Sequence, residues 1–581
     1  MTMRPSTAAT ILVPIMLIPA HVQKPGDRPA PNPESTRSAV LARNGLIATS
    51  QPLASAAGLR VMMEGGNAID AAVTAAAVLS VVEPTMNGIG GDLFALVHDP
   101  KTGKVVGLNA SGRSAYGATL DEFKRRSLTE VPSRGELSVS VPGVVDGWAR
   151  LLERYGTITL ERALQPAIEY ARNGFAVSEI IAHQWAGVER VLARDPAAAA
   201  AFLPNGRAPA TGQVFANPKL AASLEQIAKG GADTFYRGAL AQAIVADLER
   251  RGGLLTARDF AEHRSDWVEP ISTTYRGHEA LEMPPNTQGI AALEMLNILE
   301  GYDVKALGHN SAAYLHLLVE AKRIAFADRD AYVADFDAIA PDALRMMLSK
   351  EYAAVRRKEI DMEQAARDYA PGRPPEAGRP EPRRSLGEGG PLHDKWPPPT
   401  GDTIYLTAAD RDGNVISLIQ SLFGNFGAGI VAGDTGIVLQ NRGSLFTLEE
   451  GHPNRLAPHK RPFHTLVPAM VLRDGRPFFS FGVMGGDMQP QGHVQVLLNL
   501  IDFGMNVQEA GEAARFRHSG AGLALESAVT PDARFGLADR GHRLIQGIGI
   551  FGGYQGILID PATGVLMGGS DPRKDGLAIG Y

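Results

Sequence analysis

The sequence predicts a layered α/β or α+β fold, with helices through its middle and much of a β-sheet in its C-terminal part. Three observations predict it. An Ala-rich run, AAVTAAAVLSVV, follows Gly66–Asp70. Helical spacing of apolar residues dominates from Val141 to about Ala370. Beyond a Pro-rich break the apolar period changes to two, which is the period of strands. Helices and a sheet with one apolar face each must bury those faces against one another, so layers follow.

The elements can be justified in chain order. The Ala-rich run lacks β-branched blocks and reads as a tightly packed helix. Asn87–Gly91 is a glycine-rich turn, and Leu93–His98 reads as a strand. The turn is not a GxGxxG motif, because Leu93 stands where its last glycine belongs, and this argues against a dinucleotide site. Leu151–Tyr155, Glu161–Asn173 and Ala312–Tyr332 carry helical periodicity, with loops between them such as Asn286–Gly289. Thr403–Ala409 and Asn414–Ser421 read as strands around the tight turn Arg411–Gly413. Thr465–Arg473 and Pro477–Gly482 form a second such pair around Asp474–Gly475.

Composition removes several function classes. With 581 residues, 44% of them apolar, the chain can bury a large core. A formal net charge of −6 lacks the basic excess of a nucleic-acid binder. Cysteine is absent, which excludes disulfides, thiol nucleophiles and thiolate metal sites. GxxxxGK[ST], HExxH and GxSxG are also absent, and the histidines show no metal-ligand spacing. No cofactor or metal is expected. The apolar run Ala8–Ala20, followed by a Pro-rich stretch, is too short for a membrane span and resembles an export signal. Residues 1–36 are read as that signal or as a disordered extension. The protein is periplasmic or secreted in the first case and cytoplasmic in the second.

Ala370–Gly401 holds nine prolines and almost no aliphatic residues, so it reads as a flexible linker. It ends directly at Gly401–Asp402–Thr403. A three-residue hairpin loop with Gly413 in the left-handed conformation pairs Asp410 with Asn414. Counting outward then places Thr403 opposite Ser421, with both hydroxyls on one face. A two-residue loop instead puts Ser421 on the other face. A hydroxyl at a strand start, just after a flexible linker, suits self-cleavage. The freed α-amino group, with a pKa near about 8, then serves as base for its own hydroxyl. Alone, such a threonine is more often structural.

The wider sequence changes that balance. GDTIYLTAADRDGNVISLIQSLFGNFGAGIV resembles the start of the small subunit of γ-glutamyltranspeptidases. KRPFHTLVPAMV, FGVMGGDMQPQGHVQVLLNLIDFG and GGSDPRKDGLAIGY continue the likeness. GGNAIDAAVTAAAVLSVVEP, GIGGDLFALV, SVSVPGVVDGW, YGTITLERALQPAIEYARNGF and EMPPNTQGIAALEMLNILEGYD extend it over the large-subunit side. The resemblance implies the four-layer αββα sandwich of N-terminal-nucleophile hydrolases. It implies a precursor cut between Asp402 and Thr403 into two interlocked subunits, 37–402 (with 370–402 as linker) and 403–581. It also assigns roles: Thr403 as nucleophile, Ser421 as supporting hydroxyl, Gly485–Gly486 as oxyanion hole, and Asn441 as a polar pocket contact.

The departures bear on substrate. Where typical transpeptidases hold an α-amino group with Gln and Asp, this chain has Arg442 and Leu445. The Ser-Ser pair that helps grip a carboxylate reads His464–Thr465, an Asn near the nucleophile reads Phe423, and the loop Phe446–Arg461 is short. Arg113 is the candidate for the large-subunit carboxylate clamp. With Arg442 and His464 it makes the expected pocket cationic. The variant pattern resembles the branch that includes oxamate amidohydrolases and cephalosporin (glutaryl) acylases. It implies small amides whose acyl group keeps a carboxylate but lacks an amino group, and hydrolysis rather than transfer. A glutathione hydrolase or γ-glutamyltransferase is the alternative, and a processed but inactive homologue is another.

Overall fold

A computed structural model of the chain describes residues 35–373 and 403–581. The signal-like segment, most of the linker and Asp402 lie outside the described residues. Ala39–Tyr581 forms one compact unit. Two seven-stranded antiparallel sheets lie at its centre. The first runs Leu577–Gly580, Gly45–Thr49, Ile404–Asp410, Val415–Ser421, Asp92–Asp99, Lys104–Ala110, Asp266–Val268. The second runs Val40–Ala42, Leu566–Ser570, Gly553–Ile559, Arg476–Met484, Ala469–Arg473, His278–Glu282, Ile271–Tyr275.

Three apolar layers explain the stacking. Leu46, Phe94, Tyr405, Ile419, Met470 and Ile557 fill the space between the sheets. The helices Pro52–Met63 and Ala68–Val82 cover the first sheet, and Gly289–Leu299 and Met488–Ile501 cover the second. This is the expected αββα sandwich. Every residue of Ala68–Val82 is buried. Its many alanines keep the helix thin enough to approach the sheet closely, and its start is fixed by the reciprocal Asn67–Asp70 capping box.

The expected helices appear as Val144–Tyr155, which starts seven residues earlier than expected, Leu160–Asn173, one residue earlier, and Ala312–Tyr332, as expected. The middle is mainly helical, as expected, but it also contains strands at Asp266–Val268, Ile271–Tyr275 and His278–Glu282. They are three to five residues long, too short for a period to declare itself. The second C-terminal hairpin is shorter at its start than expected, beginning at Ala469, just after Pro468. It turns through Asp474 and Gly475, both at positive φ. Pro477 is accommodated where the register shifts between Val471 and Leu472. Among the described residues no helix is long and apolar enough to cross a membrane.

Candidate active site

The hairpin that follows the linker sits in the middle of the first sheet. Ile404–Asp410 pairs with Gly45–Thr49 on one side and Val415–Ser421 on the other. The three-residue loop is the one formed: Asp410 N–H donates to Asn414 O at 3.1 Å, and Gly413 has φ +86°. The ladder pairs Ile404 with Gln420, so Thr403 comes opposite Ser421. The Thr403 hydroxyl donates to Ser421 Oγ at 3.4 Å, and both side chains are buried. That contact is long for O–H···O.

Ser421 also accepts the Phe423 N–H at 2.7 Å. Phe423 is held at φ +76°, a region that bulky side chains rarely occupy. Its ring faces the guanidinium of Arg442, 4.4 Å from centroid to Cζ. Arg442 Nη1 donates to Thr465 Oγ1 at 2.8 Å. Gly91 lets the neighbouring strand begin against this turn, since a Cβ there would lie 2.4 Å from Ser421 O.

Gly485 and Gly486 join the strand Arg476–Met484 to the helix Met488–Ile501, with φ +118° and +60°. Such a bend before a helix N-terminus is a ready position for anion-facing N–H groups. Its orientation is set from behind. Gln288 Nε2 donates to Gly486 O at 3.0 Å and to Thr465 O at 2.9 Å. Gln288 Oε1 accepts from buried Arg329 at 2.7 Å, and Arg329 also pairs with Asp487 at 3.0 Å. One chain of contacts therefore links Thr403, Ser421, Phe423, Arg442, Thr465, Gln288 and Gly486.

The remaining expected residues fall differently. Asn441 is fully buried and ties loops together, donating to Ser133 O at 2.8 Å and accepting Gly424 N–H at 2.9 Å. Leu445 packs among Ile290, Val333, Met346 and Phe463, so nothing polar is offered there. Arg113 directs its guanidinium to Asp266 at 3.2 Å, a carboxylate it shares with Arg461 at 2.7 Å. Its side chain is not joined to the chain of contacts around Thr403.

His464 corrects the expectation of a cationic imidazole. Its ring is fully buried, edge-on to Phe94, and its Nε2 donates to Asp92 Oδ2 at 3.2 Å. Burial, then the charges of Arg442 and Arg461, push its pKa well below the usual value, so the ring is neutral. Asp92 itself is pushed up to about 7 by burial, against the pull of Arg442, Arg461 and the N–H groups of Gly112 and Gly143.

Sequence reasoning passed over Asp92, Gln288 and Arg329. Asp92 had a signal, a carboxylate opening an otherwise apolar strand. Gln288 lay in the loop Asn286–Gly289 with nothing to mark it, because its partners are remote in sequence. The fold also gathers His316, Glu320 and His542, whose ligand-type atoms lie within 4.8 Å of one another. Those atoms are engaged with protein: His316 Nδ1 pairs with His542 Nε2 at 2.8 Å, and Glu320 accepts from Tyr369, Ala366 and Arg323.

Comparison with known proteins agrees with this architecture. A family model for gamma-glutamyltranspeptidase matches residues 54–581. The glutathione hydrolase-like YwrD proenzyme of Bacillus subtilis is 40% identical over 553 residues, 93% of this chain and 99% of that protein. The oxamate amidohydrolase proenzyme of Klebsiella pneumoniae is 33% identical, over 94% of this chain and all of its own length. The crystal structure of cephalosporin acylase from Bacillus halodurans superposes with a TM-score of 0.86 at 41% identity, covering 96% of this chain and 99% of that one. With the Thr403–Ser421 hairpin at the centre of an αββα sandwich, this chain belongs to the gamma-glutamyltranspeptidase family of hydrolases.

Proposed function

We propose that the chain is the precursor of an amidohydrolase that cuts itself before Thr403 and then hydrolyses small amides with a carboxylate-bearing acyl group. The observation that carries this reading is the buried Thr403–Ser421 hydroxyl pair at the mouth of the central hairpin. In processing, Thr403 Oγ attacks the carbonyl carbon of Asp402. The acyl group moves from nitrogen to oxygen, and water hydrolyses the ester to free the α-amino group. The two products are the 1–402 and 403–581 chains, which remain interlocked because both contribute strands to each sheet.

In turnover the freed amine takes the Thr403 hydroxyl proton as Oγ attacks the substrate amide carbon. Ser421 orients the hydroxyl, and the N–H groups of Gly485 and Gly486 receive the developing oxyanion. The amine leaves with a proton, and water then cleaves the threonyl ester. No cofactor enters this sequence. Arg442 and Thr465 meet the acyl carboxylate, with Asn441 and neutral His464 bounding the pocket and Arg113 adding a positive charge farther out. Buried Leu445 and the charge of Arg442 disfavour an α-amino group, which weighs against the glutathione hydrolase reading.

Intact mass and N-terminal sequencing of wild type beside Thr403→Ala test the processing. Two wild-type chains, one beginning Thr403-Ile404-Tyr405, and an uncleaved variant are expected. A single wild-type chain after prolonged incubation overturns it. Oxamate, glutaryl and γ-glutamyl amides then test the substrate. Comparable kcat/KM for glutaryl and γ-glutamyl anilides overturns the acyl preference and favours the glutathione hydrolase reading.

A further inference from the structure

Asp92 lies one strand from Ser421 and two from Thr403, at the edge of the proposed acyl pocket. It opens the strand Asp92–Asp99 and is the cross-strand partner of Ser421. It is fully buried. Oδ1 accepts the Gly112 N–H at 3.0 Å, and Oδ2 accepts His464 Nε2–H at 3.2 Å. His464 Nδ1 in turn accepts the Leu466 N–H at 3.3 Å, which fixes the tautomer. The adjacent Thr465 hydroxyl holds Arg442. A carboxyl group, a neutral ring and a guanidinium thus form one buried cluster beside the hydroxyl pair.

We propose that Asp92 is a specificity-setting residue: it competes with the substrate's carboxylate for the field of Arg442, so an anionic acyl group binds when Asp92 carries a proton. This rests on the reading above that Arg442 meets the acyl carboxylate. Two carboxylates cannot both stay ionised beside one buried guanidinium without strong mutual repulsion. Binding of the anion therefore takes one proton from solvent, which ends on the Asp92 carboxyl. The group is poised for this, because burial already holds it up at about 7. The other titratable and charged groups around it keep their charge near neutrality. Arg442 and Arg461 are cationic, His464 is neutral, and the buried Tyr236 hydroxyl is pushed well above its usual range.

The test uses processed wild type and Asp92→Asn, which keeps the size and the acceptor for Gly112. KM and kcat are measured between pH 5.5 and 8.5 for a glutaryl anilide and for an uncharged valeryl anilide. For wild type, KM of the glutaryl substrate is expected to rise toward tenfold per pH unit above about 7, while kcat follows deprotonation of the Thr403 α-amino group in the same way for both substrates. The valeryl KM stays flat. D92N flattens the glutaryl profile and lowers its KM at pH 8.5 by about 30-fold. A flat wild-type glutaryl KM, or a D92N change shared equally by both substrates, overturns the proposal. Failure of the underlying reading looks different: Arg442→Gln then leaves the glutaryl-to-valeryl KM ratio unchanged. Should D92N fail to fold, calorimetric titration of wild type with glutarate in buffers of different ionisation enthalpy decides. Uptake approaching one proton at pH 8 supports the proposal, and no uptake overturns it.

Discussion

Thr403 and Ser421 meet with their hydroxyl oxygens 3.4 Å apart because a three-residue turn at Arg411–Gly413 sets the register of the strands that carry them. Ser421 accepts both the Thr403 hydroxyl and the Phe423 N–H. Ser421→Ala leaves two buried donors without that acceptor, at a cost of about 1–3 kcal/mol for each such group. Expected is a fall of at least about tenfold in kcat and slower self-cleavage. Ser421→Thr, which keeps the hydroxyl, stays within a few-fold. Processing half-life and single-turnover rates check both.

Gln288 holds the Gly486 carbonyl from behind and is itself held by Arg329. Gln288→Leu releases the Gly486–Asp487 peptide, and the two-glycine bend is then free to move the Gly485 and Gly486 N–H groups away from the proposed oxyanion position. The expected signature is a fall in kcat of about 10–100-fold with KM within a few-fold, since the loss is felt mainly in the transition state. A rise in KM at constant kcat contradicts this assignment.

Asp410 joins the hairpin to the helix layer. Its Oδ1 accepts the N–H groups of Asp412 and Asn414, and its Oδ2 accepts the Ala68 N–H at 2.9 Å, the first residue of Ala68–Val82. A carboxylate at a helix N-terminus is favourable through both the hydrogen bond and the helix dipole. Asp410→Ala is expected to cost about 1–2 kcal/mol, and Asp410→Asn less. Thermal unfolding of the two variants under one scan rate checks the order.

Glu83 gives a pH test of stability. It is fully buried, with Ser50 donating to it at 3.0 Å, and burial raises its pKa to about 7 despite Ser50 and Lys574. A raised folded pKa means that the native state holds a proton the unfolded chain releases. Its contribution is complete below the unfolded pKa near 4.5 and is lost as pH rises through 7. Glu83→Gln keeps the acceptor and has no proton to lose. Relative to wild type it is expected to gain stability between pH 5 and pH 8, by about 3 kcal/mol at the upper end. An unfolding midpoint difference independent of pH contradicts the assignment.

The sequence by itself determined the local elements and the order of the chemistry-bearing motifs. The Ala-rich helix, Leu160–Asn173, Ala312–Tyr332 and the two C-terminal hairpins were legible because periodicity and turn residues act within a few positions. The Thr403–Ser421 register was legible for the same reason, once the turn length was fixed by Gly413. Short strands such as Asp266–Val268 were not, because they are stabilised by a pairing partner, Lys104–Ala110, that lies far away in the chain. Tertiary structure alone decided what the motif residues face. Arg113 turned to Asp266, Asn441 became a tie between loops, and His464 lost its charge through burial beside the cations Arg442 and Arg461. Protonation and hydrogen-bond partners depend on burial and on neighbours brought from opposite ends of the chain. Those neighbours are assigned only when the two sheets close on each other.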